Sequence, residues 1–276
     1  MPKCLSSPQA MYYDAHVHSR VSPDSEADPG EIIGVLKKQG LGVCFTEHVD
    51  YVTPVEGLDK TAPDIPQADT DFLTDLDDYP ASYLRFKSGS VGLGLEIGLT
   101  RAYLEANRAA AALDGLDFIV GSIHFVDGYD IYYDYCASHP GDPYRRMLEY
   151  IKEMVELCEF FDSLGHIDYI SRYSPLAEKN VLYTSYPGEY DALLKALIKN
   201  EKALEINTSR FGDPAAEANL VRVYRRYYQL GGRYVTIGSD AHRLQKMGRH
   251  HGKALRIARD IGLRPVCYFN RKMEVC

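Results

Sequence analysis

Six cysteines occur in the 276 residues, and no two of them form a C-x-x-C pair. Cys4, Cys44, Cys136, Cys158, Cys267 and Cys276 stand far apart, which is the usage of a reducing compartment and excludes a disulfide framework. Cys44 and Cys267 fall inside apolar, strand-like runs and read as buried thiols. Basic residues are also in the minority: 31 Lys and Arg against 39 Asp and Glu leave a formal charge of -8. That balance argues against a protein that grips a polyanion through a basic surface, so long nucleic acid is not an expected partner. A local cationic pocket or a bound metal can still attract phosphate. No segment approaches the roughly 20 apolar residues needed to span a bilayer. The opening "MPKCLSSPQA" lacks the apolar core of a signal peptide. The expectation is a cytoplasmic protein with no membrane partner. Repeats, low-complexity tracts and linkers are absent too, and with 45% hydrophobic residues the chain can bury a large core. One domain over 1–276 is expected.

What is present is a regular alternation. Strand candidates are "MYYDAHVH" (11–18), "GVCFTEH" (42–48), "VGLGLEIG" (91–98), "DFIVGSIHF" (117–125), "FFDSLGHI" (160–167), "ALEINT" (203–208) and "RYVTIGSDAH" (233–242). Between and after these seven lie helical patterns at 28–40, 101–115, 142–160, 189–202, 217–232 and 252–265, with apolar residues at three- and four-residue spacing. Asp28 is placed to cap the first helix, and Pro29 to open it. The sequence predicts β/α units around a mostly parallel sheet. One stretch breaks the rhythm: 50–80, rich in Pro and Asp, followed by a short helical patch at "ASYLRFK". A loop this long is either a lid over a site or a surface excursion. With the patch included, the insertion runs over 50–88.

Imidazoles and carboxylates recur at the C-terminal ends of these strands: His16 and His18, Glu47 and His48, Glu96, His124, His166, then Asp240 and His242. The sixth strand alone ends differently, in Asn207 and Arg210. In a (β/α) barrel all these ends converge on one mouth, where active sites sit. Residues i and i+2 of a strand share a face, so His16 and His18 can reach one ion. A lone histidine at a strand end is ordinarily just a hydrogen-bonded residue. Here, however, six of the nine histidines share one pole with three carboxylates, and bound cations are their natural partner. The other three serve as a control: His139 reads as a turn residue at the surface, and His250 and His251 as surface or phosphate-adjacent.

In order along the chain, "HVH", "FTEH", "GLEIG", "GSIH", "GHID" and "GSDAH" resemble the polymerase-and-histidinol-phosphatase (PHP) superfamily. "HVHSRVSPDS", "GSIHFVDG", "GHIDYISRY" and "EINTSR" are similar to its bacterial histidinol-phosphate phosphatase branch. The resemblance runs from about Asp14 to the helix after His242. It implies an α/β fold, a distorted seven-stranded (β/α)7 TIM-like barrel of the PHP type, holding two or three divalent ions of zinc, manganese or iron. One ion would be held by His16, His18, Glu96 and Asp240. A second would share Glu96 and use His124 and His166. A third would use His48 and His242 with Asp24, at a place where relatives carry histidine. An oxygen ligand there loosens selectivity for the softer metals. Glu47 reads as an acceptor behind a ligand rather than a ligand. Asp14 either orients an imidazole from behind or pairs with backbone.

Two adjacent ions sharing a carboxylate lower the pKa of a bridging water and clamp the attacked centre, which suits hydrolysis by a metal-bridging hydroxide. A phosphate ester also needs forked cations on its oxygens, and Arg172 and Arg210 lie just past strand ends at the same mouth. Asp240 and His242 are candidates to assist the leaving alkoxide. The expected reaction is hydrolysis of L-histidinol phosphate, a small phosphorylated metabolite, to L-histidinol and inorganic phosphate. Acidic residues of the insertion, or an aromatic such as Tyr129, are candidates for holding its organic part. The alternative is a PHP phosphoesterase acting on nucleotides or other small esters, which the same metal residues would serve. An amidohydrolase-type barrel also uses H-x-H and a late Asp, but no lysine here ends a strand to bridge its metals. A binding module that had lost catalysis should show gaps among the ligands, and every position is filled by a competent donor.

Overall fold

The computed structural model describes residues 11–51, 72–133, 135–139 and 141–276. Its strands are β1 (Tyr13–Val17), β2 (Gly42–Asp50), β3 (Phe72–Leu73), β4 (Val91–Gly98), β5 (Phe118–Ser122), β6 (Phe125–Val126), β7 (Tyr129–Asp130), β8 (Ser163–Leu164), β9 (Ala203–Asn207), β10 (Tyr234–Gly238), β11 (Arg264–Phe269) and β12 (Lys272–Val275). The helices are α1 (Pro29–Lys38), α2 (Tyr79–Tyr83), α3 (Leu104–Ala111), α4 (Tyr135–Ser138), α5 (Pro143–Leu157), α6 (Pro187–Lys199), α7 (Pro214–Gln229) and α8 (His251–Ile261).

The result is an α/β fold with a mostly parallel central sheet. Its order is β1-β2-β4-β5-β8-β9-β10-β11-β12, with β3 paired to the C-terminal end of β2 at Val49 and Asp50. Every pair along this path is parallel except the hairpin β11–β12, and β3 is antiparallel to β2. The seven expected strands are all there, but the sheet has ten among the described residues. Residues 264–275, expected only to follow the last helix, form β11 and β12. The fourth expected strand stops at Ser122, and a separate hairpin β6–β7 turns on Asp127 and Gly128, both at positive φ. The fifth shrinks to two residues, and just beyond them Gly165 passes so close to β5 that a Cβ would lie 2.4 Å from Ser122 Oγ.

The ends of the parallel series meet at one pole. His18 N donates to Ala241 O and Asp240 N to His16 O, at 3.1 and 2.8 Å, beside a parallel bridge between Val17 and Ala241.

Helix starts follow the sequence. Asp28 accepts from Gly30 N and Glu31 N ahead of Pro29, and Asp142 and Asp213 do the same work for α5 and α7. The buried faces of α5 and α7 include Met147, Leu148, Ile151, Leu220 and Val223, which join strand residues such as Phe45, Leu95, Ile119 and Ile206 in one core. Asp50, assigned above to the insertion, is a buried residue of β2. The short helical patch is α2 followed by a single turn of tighter helix over Leu84–Phe86. The lid expectation falls mainly on 52–71, outside the described residues.

Candidate metal centre

His16 lies inside β1 and His18 one residue past it, and both are fully buried. Their Nε2 atoms face Glu96 Oε2 of β4 at 3.2 and 3.4 Å and Asp240 Oδ1 at 3.8 and 3.6 Å. The register of β2 on β4 sets His48 beside Glu96, with His48 Nδ1 3.2 Å from Glu96 Oε2. The other oxygen of Glu96 accepts from Ser122 Oγ at 2.6 Å and lies 2.8 and 3.4 Å from His166 Nε2 and His124 Nε2. On the outer side, His48 Nε2 and His242 Nε2 are 3.2 Å apart, and Asp24 reaches them at 3.7 and 2.9 Å. The ring of His18 stacks against those of both His48 and His242, whose own centroids are 5.5 Å apart.

The potential ligand atoms therefore fall into four overlapping groups, each within 4.8 Å: His16, His18, Glu96, Asp240; Glu96, His124, His166; His18, His48, His242; and His48, Asp50, His124. Asp240 adopts a φ of 53°, a left-handed conformation that side-chain-bearing residues seldom take. Such strain persists where the surroundings impose it, characteristically at functional sites.

Burial works against every charge in this cluster, so the surviving shifts report the neighbours. Despite burial, Glu96 is held well below the ordinary carboxylate range by His16, His48 and His124. Asp240 is held low by Arg172 and His16. His16 is raised well above its usual value, burial being outweighed by Glu96, Glu205 and Asp240. His18 goes the other way, pushed down by burial and by the imidazoles of His48 and His242. The cluster favours positive charge at its centre.

Three of its buried atoms, His16 Nε2, His18 Nε2 and Glu96 Oε2, have no hydrogen-bond partner. A tetrahedral cation with bonds near 2.1 Å holds its ligands about 3.4 Å apart. The 3.2–3.8 Å spacings around these atoms fit that requirement.

Behind the imidazoles stand acceptors that the sequence reading passed over. Glu205 of β9 lies 2.7 Å from His16 Nδ1, and Asp50 lies 2.8 Å from His124 Nδ1. The available signal was a charged residue within an otherwise apolar strand. Glu47 is an acceptor, as expected. It takes bonds from Ser19 N, Ser19 Oγ and Ser22 Oγ, and burial pushes its carboxyl up to about 7. Ser22 Oγ in turn lies 3.3 Å from His18 Nδ1. Asp14 takes the backbone alternative, accepting from Ser239 N, Ser239 Oγ and Gly248 N.

Of the two arginines, Arg172 reaches the cluster: its Nη2 bonds Asp240 Oδ2 and Ser209 Oγ, and its guanidinium lies over the Tyr169 ring at 5.2 Å. Tyr169 is stacked on His166. Arg210 turns to Asp168 and Asn180 instead, both at 2.7 Å. A third guanidinium, Arg249, went unread in the sequence; it is half-buried and donates to Ser209 O at 2.6 Å. His139 is half-buried and His250 exposed, whereas His251 is buried and within hydrogen-bonding distance of Tyr13 O at 2.9 Å. His251 is therefore structural, neither surface nor phosphate-adjacent.

The chain is similar to known proteins over most of its length. A probable histidinol-phosphatase of Clostridium acetobutylicum is 35% identical over 268 residues, spanning 96% of this chain and 99% of that protein. A histidinol-phosphatase of Lactococcus lactis is 29% identical over 238 residues, 83% of each chain. Among solved structures, histidinol phosphate phosphatase from Lactococcus lactis, complexed with zinc, L-histidinol and phosphate, superposes with a TM-score of 0.80 at 27% identity, covering 95% of this chain and 98% of that one. The sequence profile of the PHP domain matches residues 14–209, from the strand that carries His16 and His18 to the segment beyond Glu205, and the chain belongs to the PHP domain family.

Proposed function

We propose that this protein is a metal-dependent phosphomonoesterase that hydrolyses L-histidinol phosphate to L-histidinol and inorganic phosphate in the cytoplasm. The convergence of the unpartnered, buried His16 Nε2, His18 Nε2 and Glu96 Oε2 carries the reading. The relatives named above supply the substrate. The whole chain acts as one domain, a distorted barrel of β1, β2, β4, β5, β8, β9 and β10, and the Val17–Ala241 bridge supports its closure.

His16, His18, Glu96 and Asp240 would hold one divalent ion, and Glu96, His124 and His166 a second. Asp24, His48 and His242 would hold a third. When bound, zinc, manganese or iron supplies Lewis acidity and an activated water.

The chain's own residues do the rest. Arg172 is anchored through Nη2 to Asp240 Oδ2 and Ser209 Oγ with its side chain 20% exposed, and its fork would meet a phosphoryl oxygen at the mouth. Arg210 would join it after exchanging its Asp168 partner for substrate. With the third position empty, His242, whose side chain is 25% exposed, would instead carry a proton from water at the rim to the departing alkoxide. Asp240 holds Arg172 and the histidine pair in one frame.

The test is phosphate release from L-histidinol phosphate by protein loaded with manganese or zinc, compared with a panel of nucleotides and small esters. A clear preference for histidinol phosphate is expected. Equal turnover of the whole panel would replace this reading with that of a general phosphoesterase.

A further inference from the structure

β9 sits between β8 and β10 in the sheet, yet none of the four ligand groups draws a residue from it. We infer that Glu205, in the middle of this strand, is a positioning residue that fixes the ligands of two cation positions relative to each other. The inference rests on the reading that the cluster holds cations.

The Glu205 carboxylate is almost fully buried and divides its two oxygens between two groups. Oε1 is 2.7 Å from His16 Nδ1. Oε2 accepts from the backbone N of His166 at 2.8 Å and from Asn207 Nδ2 at 3.0 Å. His16 belongs to the group with His18, Glu96 and Asp240, whereas His166 belongs to the group with Glu96 and His124. Glu96 bridges these two groups from the front, and Glu205 ties them from behind. Asn207 extends the tie, since its Nδ2 also approaches Asp240 Oδ2 at 3.4 Å.

The chemistry of the pair is directional. A carboxylate only accepts, so the proton of His16 must sit on Nδ1, leaving the Nε2 lone pair free to face Glu96 and Asp240. The neighbouring strand leaves room for this arrangement: a Cβ on Gly238 would lie 2.4 Å from Glu205 Oε1 and 2.3 Å from His16 Cβ. A hydroxyl of Ser22 stands behind His18 and, among the described residues, His166 Nδ1 has no hydrogen-bond partner and Asp50 behind His124 is the only other backing carboxylate in these two groups.

The experiment strips wild-type protein and E205Q of metal and titrates each with Mn2+ or Zn2+. Bound equivalents and affinity are read by equilibrium dialysis with elemental analysis, alongside circular dichroism and thermal melting of the metal-free proteins. Glutamine has the same shape but offers one acceptor, so it can serve His16 Nδ1 or the His166 amide and not both. The expected result is metal-free protein that folds and melts like wild type but holds ions about 10–100-fold more weakly. E205D, with two acceptors on a shorter arm, should lie between; if E205Q does not fold, the same titration on E205D decides. Unchanged metal affinity in a folded variant overturns the inference, as does a loss of metal-free stability with no loss of affinity. Wild-type protein that takes up no ion overturns the cation reading itself, whereas equal uptake by wild type and E205Q overturns only the role given to Glu205.

Discussion

The two poles of the sheet treat buried charge in opposite ways. At the N-terminal pole each carboxylate is fully matched. Asp117 accepts from Leu93 N and Asn270 N and pairs with Lys87 at 2.9 Å. Asp162 accepts from Ile119 N and is clasped by Arg271, whose guanidinium also bonds the carbonyls of Ala111 and Phe160. At the C-terminal pole, His16 Nε2, His18 Nε2 and Glu96 Oε2 face one another with no hydrogen-bond partner among the described residues. An unmatched buried polar atom costs about 1–3 kcal/mol, so a protein retains several together only where something else satisfies them. Matched charge at one end braces the fold, and unmatched charge at the other is where the proposed chemistry would take place.

That contrast can be broken in graded steps. Replacing His16 or Glu96 with alanine should lower histidinol phosphate turnover by at least about 10³-fold while leaving the circular dichroism of the metal-free protein unchanged. Steady-state kinetics beside a melting curve checks both halves. The mirror experiment is Arg271→Ala, which strands Asp162. It should cost about 3 kcal/mol in denaturant unfolding, yet leave kcat per folded molecule near wild type. If it abolished activity without loss of stability, the division of labour between the poles would be wrong.

Smaller effects sharpen the picture at the mouth. Arg172→Lys keeps the charge but loses the fork, and KM should rise by about 10–100-fold, with inorganic phosphate weakened as an inhibitor in parallel. Metal uptake should also depend on pH in a defined sense. His16, His48 and His124 are held above the ordinary imidazole range by the surrounding carboxylates, which outweigh burial. An ion must displace their protons, so affinity should fall as pH falls, by about tenfold per pH unit for each proton released. Calorimetric titration in buffers of different ionisation enthalpy counts those protons. Least affected should be Arg249→Ala, which removes a brace on the Ser209 carbonyl and is expected to cost only a few-fold in KM.

Much of this was legible in the sequence because two independent patterns coincided. Apolar runs such as "GVCFTEH" and "VGLGLEIG" signalled buried parallel strands, and their polar ends signalled a common mouth, while the grouping of His16, His18, Glu96 and Asp240 on one ion came from the resemblance to the PHP superfamily. What escaped depends on contacts that no local pattern encodes. Glu205 reads as one charge in "ALEIN", and its use appears only when β9 lies beside β10. Asp50 looked like the start of a loop because the following residues are rich in Pro and Asp. The β11–β12 hairpin turns at Asn270 and Arg271, both at positive φ, and arginine is not a residue that announces such a turn. Arg210 stands just past a strand end, as its position suggested, but the partner that its guanidinium turns to, Asp168, was not legible.

The hairpin that seals the lower pole has a bearing on how the protein is made. Asn270 is synthesised 153 residues after Asp117, the acid it caps, and Arg271 comes 109 residues after Asp162. At about 5–20 residues per second, Asp117 waits with Lys87 as its partner, but Asp162 lacks the guanidinium that clasps it for on the order of ten seconds. Chaperone dependence should therefore track the arrival of this short ribbon more closely than the completion of the catalytic rim.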